Sequence, residues 1–200
     1  SRCRKVVLLK SKMKTSVVAL LFLMWPSLCS ETFAIFSCRN VCAMSLLRVD
    51  MEETCWQGRH DNFVKFLGVP MLILFVISLP AIALHGVWRV QQRARERQAD
   101  IEGLDGHLTW GMFYSAYDPK VWWWEGSVAV RKIAIAFVGV FGAEMGEMQV
   151  HLTAWLMVLM MLMTSIVQPF GKQNTLQYLE MGTLTATWMT LWAGTVFNSY

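Results

Sequence analysis

Charge is what this sequence has least of. Asp, Glu, Lys and Arg together make up 16% of its 200 residues, against roughly 25% in soluble globular domains. A soluble fold with 55% hydrophobic residues would lack the polar side chains to cover its core, and a bilayer removes that need. Signatures of common catalytic chemistry are missing too. There is no nucleotide loop, no His-Glu-x-x-His, and no Ser or Cys nucleophile with a plausible base beside it, so no catalytic residue and no cofactor is expected. The net charge of +4 is small and its basic residues are bunched into a few segments without an aromatic-basic groove, which argues against nucleic acid as a partner.

What is present is a series of long apolar runs, so the expected fold is all-α, a polytopic transmembrane helix bundle of about five spans. The first, 16–37, has one charge, Glu31, in 22 residues, enough to cross a hydrocarbon core of about 30 Å at about 1.5 Å per residue. Before it lies a basic leader, 1–15, with six Lys and Arg and no acid. A signal peptide is the alternative reading of residues 13–30, since a basic stretch, an apolar stretch and small residues follow in that order. The run 66–88 carries only His85 as a titratable group and should bend at Pro70 and Pro80. Three further spans are expected over 119–143, 150–167 and 176–197. Leu156 to Met163 reads as packing or lipid-facing surface and not as a metal box. Asn174 and Gln177 have the spacing of a capping box. The chain closes at Tyr200 soon after the fifth run, and a fragment of a larger membrane domain is expected.

The third span has the most distinctive start. Asp118 is a good N-cap and Pro119 suits the first helical position, where its missing N–H costs nothing. Trp122, Trp123 and Trp124 follow as candidate interfacial anchors, and Arg131 and Lys132 mark one side of the bilayer by charge. Ile133 to Ala143 is too short to span alone, so these indole turns must supply length.

Cys38, Cys42 and Cys55 fall in one loop, 38–62. The spacing admits a disulfide to Cys55 from Cys38 or Cys42, free thiols, or metal ligation; with His60 as the loop's only histidine, no metal is expected. A disulfide requires an oxidising side of the membrane. The lysines and arginines test that placement independently. Fourteen of the 18 fall in 1–15, 89–132 and at Lys172, and the remaining four are Arg39, Arg48, Arg59 and Lys65. The positive-inside rule then puts the amino end and the 89–118 loop in the cytosol and the cysteine loop outside. A multi-pass protein of a eukaryotic surface membrane, with its N-terminus cytosolic, is the expected localisation.

The run Pro26, Phe36-Ser37-Cys38, Asp50, Cys55-Trp56, His60, Pro70 and Pro80, followed by Tyr117-Asp118-Pro119, Trp123-Trp124-Glu125, Arg131-Lys132, Gln149, Gln168-Pro169 and Asn174 to Glu180, resembles the TRP-like, polycystin-related membrane domain of large protist and algal surface proteins. That domain often follows ephrin-receptor-like or EGF-like cysteine-rich repeats. The resemblance implies a receptor-like or ion-channel-like bundle that takes part in cation transport or sensing; the alternative is a non-conducting anchor coupling an adhesion ectodomain to cytosolic partners.

Charges within or beside membrane segments are the default functional candidates, because each is costly unless paired or hydrated. They are Glu31, Glu125, Arg131, Lys132 and Glu180, candidates for gating or for helix packing. Glu125 and Lys132 share a helix face two turns apart, within reach of a common third group. Glu144 and Glu147 are candidates for concentrating cations at an outer mouth. The expected partners are the lipid bilayer, a cytosolic protein through 89–118, and a homo- or hetero-oligomeric neighbour. A thiol-disulfide enzyme is the weakest alternative, since no Cys-x-x-Cys pair is present.

Overall fold

A computed structural model describes residues 2–41, 44–95, 117–171 and 174–198. Helix α1, Arg2–Ala34, runs through the basic leader and the first apolar run without a break, with Pro26 inside it. A two-stranded antiparallel hairpin follows, β1 (Cys38–Val41) with β2 (Met44–Leu47), in the register Cys38 opposite Leu47 and Val41 opposite Met44. A long helical stretch, α2, then occupies 58–95. After it come α3 (Trp124–Phe141), α4 (Glu147–Val167) and α5 (Asn174–Asn198).

Among the described residues, four helices are long and apolar enough to cross a membrane, over Met13–Ala34, Gly58–Arg89, Trp124–Glu144 and Glu147–Val167. The chain is therefore a multi-pass membrane protein. The expectation of about five spans needs correcting on this point. The fifth helix forms, as α5, but is not among the four. Its threonines at 183, 185, 187, 190 and 195 and its Glu180 dilute an apolar run that is otherwise long enough.

Two further boundaries differ from the sequence reading. The second span opens at Gly58, eight residues before position 66, because Asp61 and Lys65 pair one turn apart at 2.6 Å and continue the helix into polar sequence. At the third, residues Pro119–Val121 form a single 3-10 turn and the α-helix begins only at Trp124. Pro119 and the Asp118 cap do start helical geometry, but a tighter turn is what they start.

The bends expected at Pro70 and Pro80 take the form of widened turns. Within α2, the α-helical pieces Gly58–Phe63, Val69–Met71 and Ser78–Arg95 are separated by π-helical stretches, Val64–Gly68 and Leu72–Ile77, and each widened stretch directly precedes a proline turn. Proline has no N–H and its ring crowds the carbonyl one turn back, so a wider turn relieves the clash and leaves an acceptor unfilled. In the second stretch the carbonyl that such a turn would pair with residue 80 belongs to Phe75. Trp25 of α1 fills it, its indole Nε1 donating to the Phe75 carbonyl at 2.9 Å. One buried indole thus completes the backbone of a neighbouring helix, in a medium where no water can do so.

Trp25, Cys29 and Phe33 recur every fourth residue and form one buried stripe of α1. Val76 of α2 and Ala129 and Ala136 of α3 close over it. The alanines let backbones approach, as small residues do where lipid offers no hydrophobic drive for helix association. A second core joins α4 to α5 through Met157, Met160 and Leu184, with Ile135 of α3 packed against it. The methionine-rich run of α4 is thus packing surface on one face.

The hairpin is tied down at its base by a disulfide between Cys38 and Cys55; Cys42 lies outside the described residues, and Cys29 is a free, buried thiol. His60, 3% exposed, anchors the hairpin to the bundle. Its Nδ1 accepts from the Trp56 N–H at 3.0 Å, which leaves the proton on Nε2 to donate to the Ile35 carbonyl at 3.1 Å. Nothing in the sequence pattern of this loop marks the two strands.

Replacing Trp25 by Phe should destabilise the bundle by about 1–3 kcal/mol, the cost of a buried acceptor left unpaired. Adding Pro80→Ala restores an N–H and should recover most of that loss in thermal unfolding. No recovery in the double variant would mean that the indole does not substitute for the missing proline donor.

Candidate functional site

Helices α3 and α5 start at the end of the bundle away from the hairpin, and most of the charges singled out in sequence meet there. Asp118 holds the approach to α3. Its carboxylate accepts from the Lys120 N–H at 2.9 Å, and its own N–H donates to the Pro169 carbonyl at 2.8 Å, in the turn between α4 and α5. Gly171 in that turn has φ of +54°, and a Cβ there would lie 3.1 Å from Asp118 Oδ2. Only glycine satisfies both the left-handed backbone and the close approach. The rings of Tyr117 and Phe170 pack at 5.3 Å between centroids, completing the docking of the two segments.

This docking places Tyr117 over the first turn of α3, where its hydroxyl donates to Glu125 Oε2 at 3.0 Å. Burial pushes the Tyr117 phenol well above its ordinary range, and the Glu125 carboxylate adds to the shift. The phenol therefore remains a donor at any physiological pH. Two turns along α3, Arg131 Nη1 donates to Glu180 Oε1 of α5 at 2.8 Å, with side chains 14% and 23% exposed. Lys132 follows Arg131 on the same helix. Glu125, bonded to Tyr117, and Arg131, bonded to Glu180, thus form a network of two pairs at one end of the bundle, with Lys132 next to Arg131 on α3; these are four of the five charges named from sequence.

The fifth does not join them. Glu31 is exposed near the opposite end of α1. Glu144 and Glu147, also exposed, flank the turn between α3 and α4 at the hairpin end. Gly142 and Gln149 pack closely at that turn, and Gln149 Nε2 donates to the Gly139 carbonyl at 3.1 Å, closing the end of α3.

The three indoles divide. Trp123 is exposed and Trp122 half-buried, as interfacial anchors require, but Trp124 is 1% exposed and turned into the bundle. Its Nε1 is a buried donor without a protein partner. Trp124 opens an α-helix that packs on its neighbours from its first residue, so its ring faces the bundle and not the surroundings.

The Asn174 half of the expected capping box lies outside the described side chains, and Gln177 makes a tertiary contact. Gln177 Nε2 donates to the Thr164 carbonyl of α4 at 3.0 Å, at a point where the Thr164 hydroxyl is itself committed to the Met160 carbonyl at 2.7 Å. A partner on another helix has no signature in local spacing. Tyr117 was the missed member of the network with a readable signal, an aromatic hydroxyl just ahead of a capped helix bearing a first-turn carboxylate.

Among the described residues, no group of three or more His, Cys, Asp or Glu is placed to hold a metal ion. The segment 89–118, where a cytosolic partner was expected, is helical to Arg95, and 96–116 lies outside the described residues. Comparison with known proteins finds no matching family model, no similar curated protein and no similar solved structure.

The network predicts a non-additive mutational pattern. Arg131→Met or Glu180→Leu alone should be strongly destabilising, up to about 3–5 kcal/mol for a well-buried pair and less here because both ends are partly exposed. The double variant should be more stable than either single one in thermal unfolding. Additive losses would show that the two charges do not depend on each other.

Proposed function

We propose that this chain is a TRP-like membrane domain, of the polycystin-related kind, that takes part in cation transport or sensing as part of a larger surface protein. The observation that supports this reading is the meeting of Tyr117, Glu125, Arg131, Lys132 and Glu180 at one end of α3 and α5, in two bonded pairs. Ionisable groups at membrane depth are costly, and where they persist they usually bear on ion pathways, relays or sensing. The network links α3 and α5 at one end of the bundle, so a change in its pairing would alter how those helices sit against each other. Glu144 and Glu147 supply negative charge at the other end, suited to drawing cations toward the bundle.

In the orientation we propose, the network faces the cytosol, in keeping with the Lys and Arg excess in 89–132, and the disulfide hairpin faces an oxidising exterior. A second reading is favoured by one specific contact. Arg131 and Glu180 satisfy each other directly, as they would in a static brace, and a brace suits a non-conducting anchor between an ectodomain and cytosolic partners.

Reconstitution of the full-length protein in planar bilayers separates the two. The channel or sensor reading expects a cation current that falls at least about twofold when Glu144 and Glu147 are both changed to Gln, through lost local attraction of cations. Absence of current across voltage, ligand and tension would overturn it in favour of the anchor.

A further inference from the structure

The hairpin-side halves of α4 and α5 enclose a cleft of about 310 Å³, lined by Val150, His151, Ala154, Trp155 and Val158 from α4 and by Trp188, Leu191, Trp192 and Thr195 from α5. Its internal levels follow from the helix register. Ser165 contacts the Met181 sulfur at 3.8 Å and Thr185 the Met161 sulfur at 3.6 Å. The antiparallel pairing they fix brings Val158 level with Trp188, Trp155 level with Leu191, and His151 level with Thr195. Polar groups therefore sit at the hairpin end of the cleft and aromatic and aliphatic groups below them, over about 10 Å at about 1.5 Å per residue.

Three features narrow what can occupy this space. Trp155 and Trp192 are 72% and 55% exposed, so the mouth of the cleft opens outward from the bundle. No charged residue other than a titratable histidine lines the cleft, so the occupant is uncharged where it is enclosed. Trp155 lies eight residues into α4, about 12 Å below the helix start, and Trp188 lies at a similar or greater depth from the end of α5. These positions are below the headgroup layer in which tryptophans usually act as anchors, and belt anchoring does not account for them.

We propose that this cleft binds a sterol-class lipid, a flat, rigid, uncharged ring system with one hydroxyl. The hydroxyl sits at the level of His151 and Thr195, where the imidazole can exchange a hydrogen bond with it; the Thr195 hydroxyl already donates to the Trp192 carbonyl at 2.6 Å and offers its lone pairs. The ring system lies against the indoles of Trp155, Trp188 and Trp192. A rigid ligand on rigid aromatic walls loses little conformational entropy on binding, whereas a flexible acyl chain would lose much more. This inference rests on α5 lying beside α4 within the bilayer and is independent of whether the chain conducts.

The test uses the full chain in phosphatidylcholine vesicles containing a photoactivatable sterol, with labelled peptides located by mass spectrometry. Labelling is expected on the α4 and α5 peptides that carry the cleft. Excess unlabelled sterol should reduce it about tenfold, and the sterol ester, which lacks the hydroxyl, should not compete. Ala154→Phe, which fills the cleft without removing an indole, should abolish labelling, and His151→Ala should weaken it. Retention of the Cys38–Cys55 disulfide reports that each variant is folded. Labelling spread evenly over all lipid-facing helices, equal labelling by a photoactivatable acyl-chain phospholipid, or labelling indifferent to Ala154→Phe would each overturn the proposal.

Discussion

A carboxylate or guanidinium inside an apolar helix is tolerable only where its counter-charge is held beside it, and the pairing of Arg131 with Glu180 is the contact on which the arrangement of this bundle depends. The pair sets the rotation of α3 against α5, since either helix turned by half a turn would leave a charge facing lipid. Tyr117 extends the same logic to Glu125, and can do so only because the segment before α3 is docked on the turn between α4 and α5 through Asp118, Pro169, Phe170 and Gly171. Electrostatics, loop geometry and helix packing are coupled at this end of the molecule, and a perturbation of one is felt by the others.

The same demand for satisfied polar groups governs the other contacts between helices. Pro80 leaves a carbonyl without its donor and Trp25 supplies one from α1. Gln177 reaches a carbonyl of α4 beside a buried threonine, and His60 joins Trp56, just after the disulfide, to the end of α1 through both ring nitrogens. In water these groups would find solvent partners and the contacts would contribute little. In lipid they have no substitute, so each specifies which helix lies against which. Apolar side chains such as Phe33 and Met160 then fill the spaces that these bonds define.

Much of this was legible in the sequence because it depends on composition over a window of twenty residues. Scarce charge, the apolar runs and the Asp118 cap pointed to a helical membrane bundle, and the loop spacing allowed the Cys38–Cys55 bridge among its alternatives. The membership of the charge network was legible as well, since a charge inside an apolar run stands out; its pairing was not, because the register between α3 and α5 is set through the packing of each against α4. The strands at Cys38–Val41 and Met44–Leu47 lack a strong alternating pattern and are held by the disulfide and by His60. Trp124 shows the limit of residue type as a guide: of three identical neighbours, the one that opens the α-helix is turned into the bundle, while Trp122 and Trp123 precede the helix. Glu180 illustrates another, since the residue that completes the network also lowers the apolar character of the helix that carries it.

The central claim is that the charge network and the disulfide hairpin occupy opposite faces of the membrane. An epitope inserted at Asp50, in the turn after β2, and another inserted between Gly103 and Gly106 would test it in intact and permeabilised cells. One epitope should be accessible to antibody without permeabilisation and the other only after it. Both accessible, or both hidden, in intact cells would contradict the arrangement of the bundle described here.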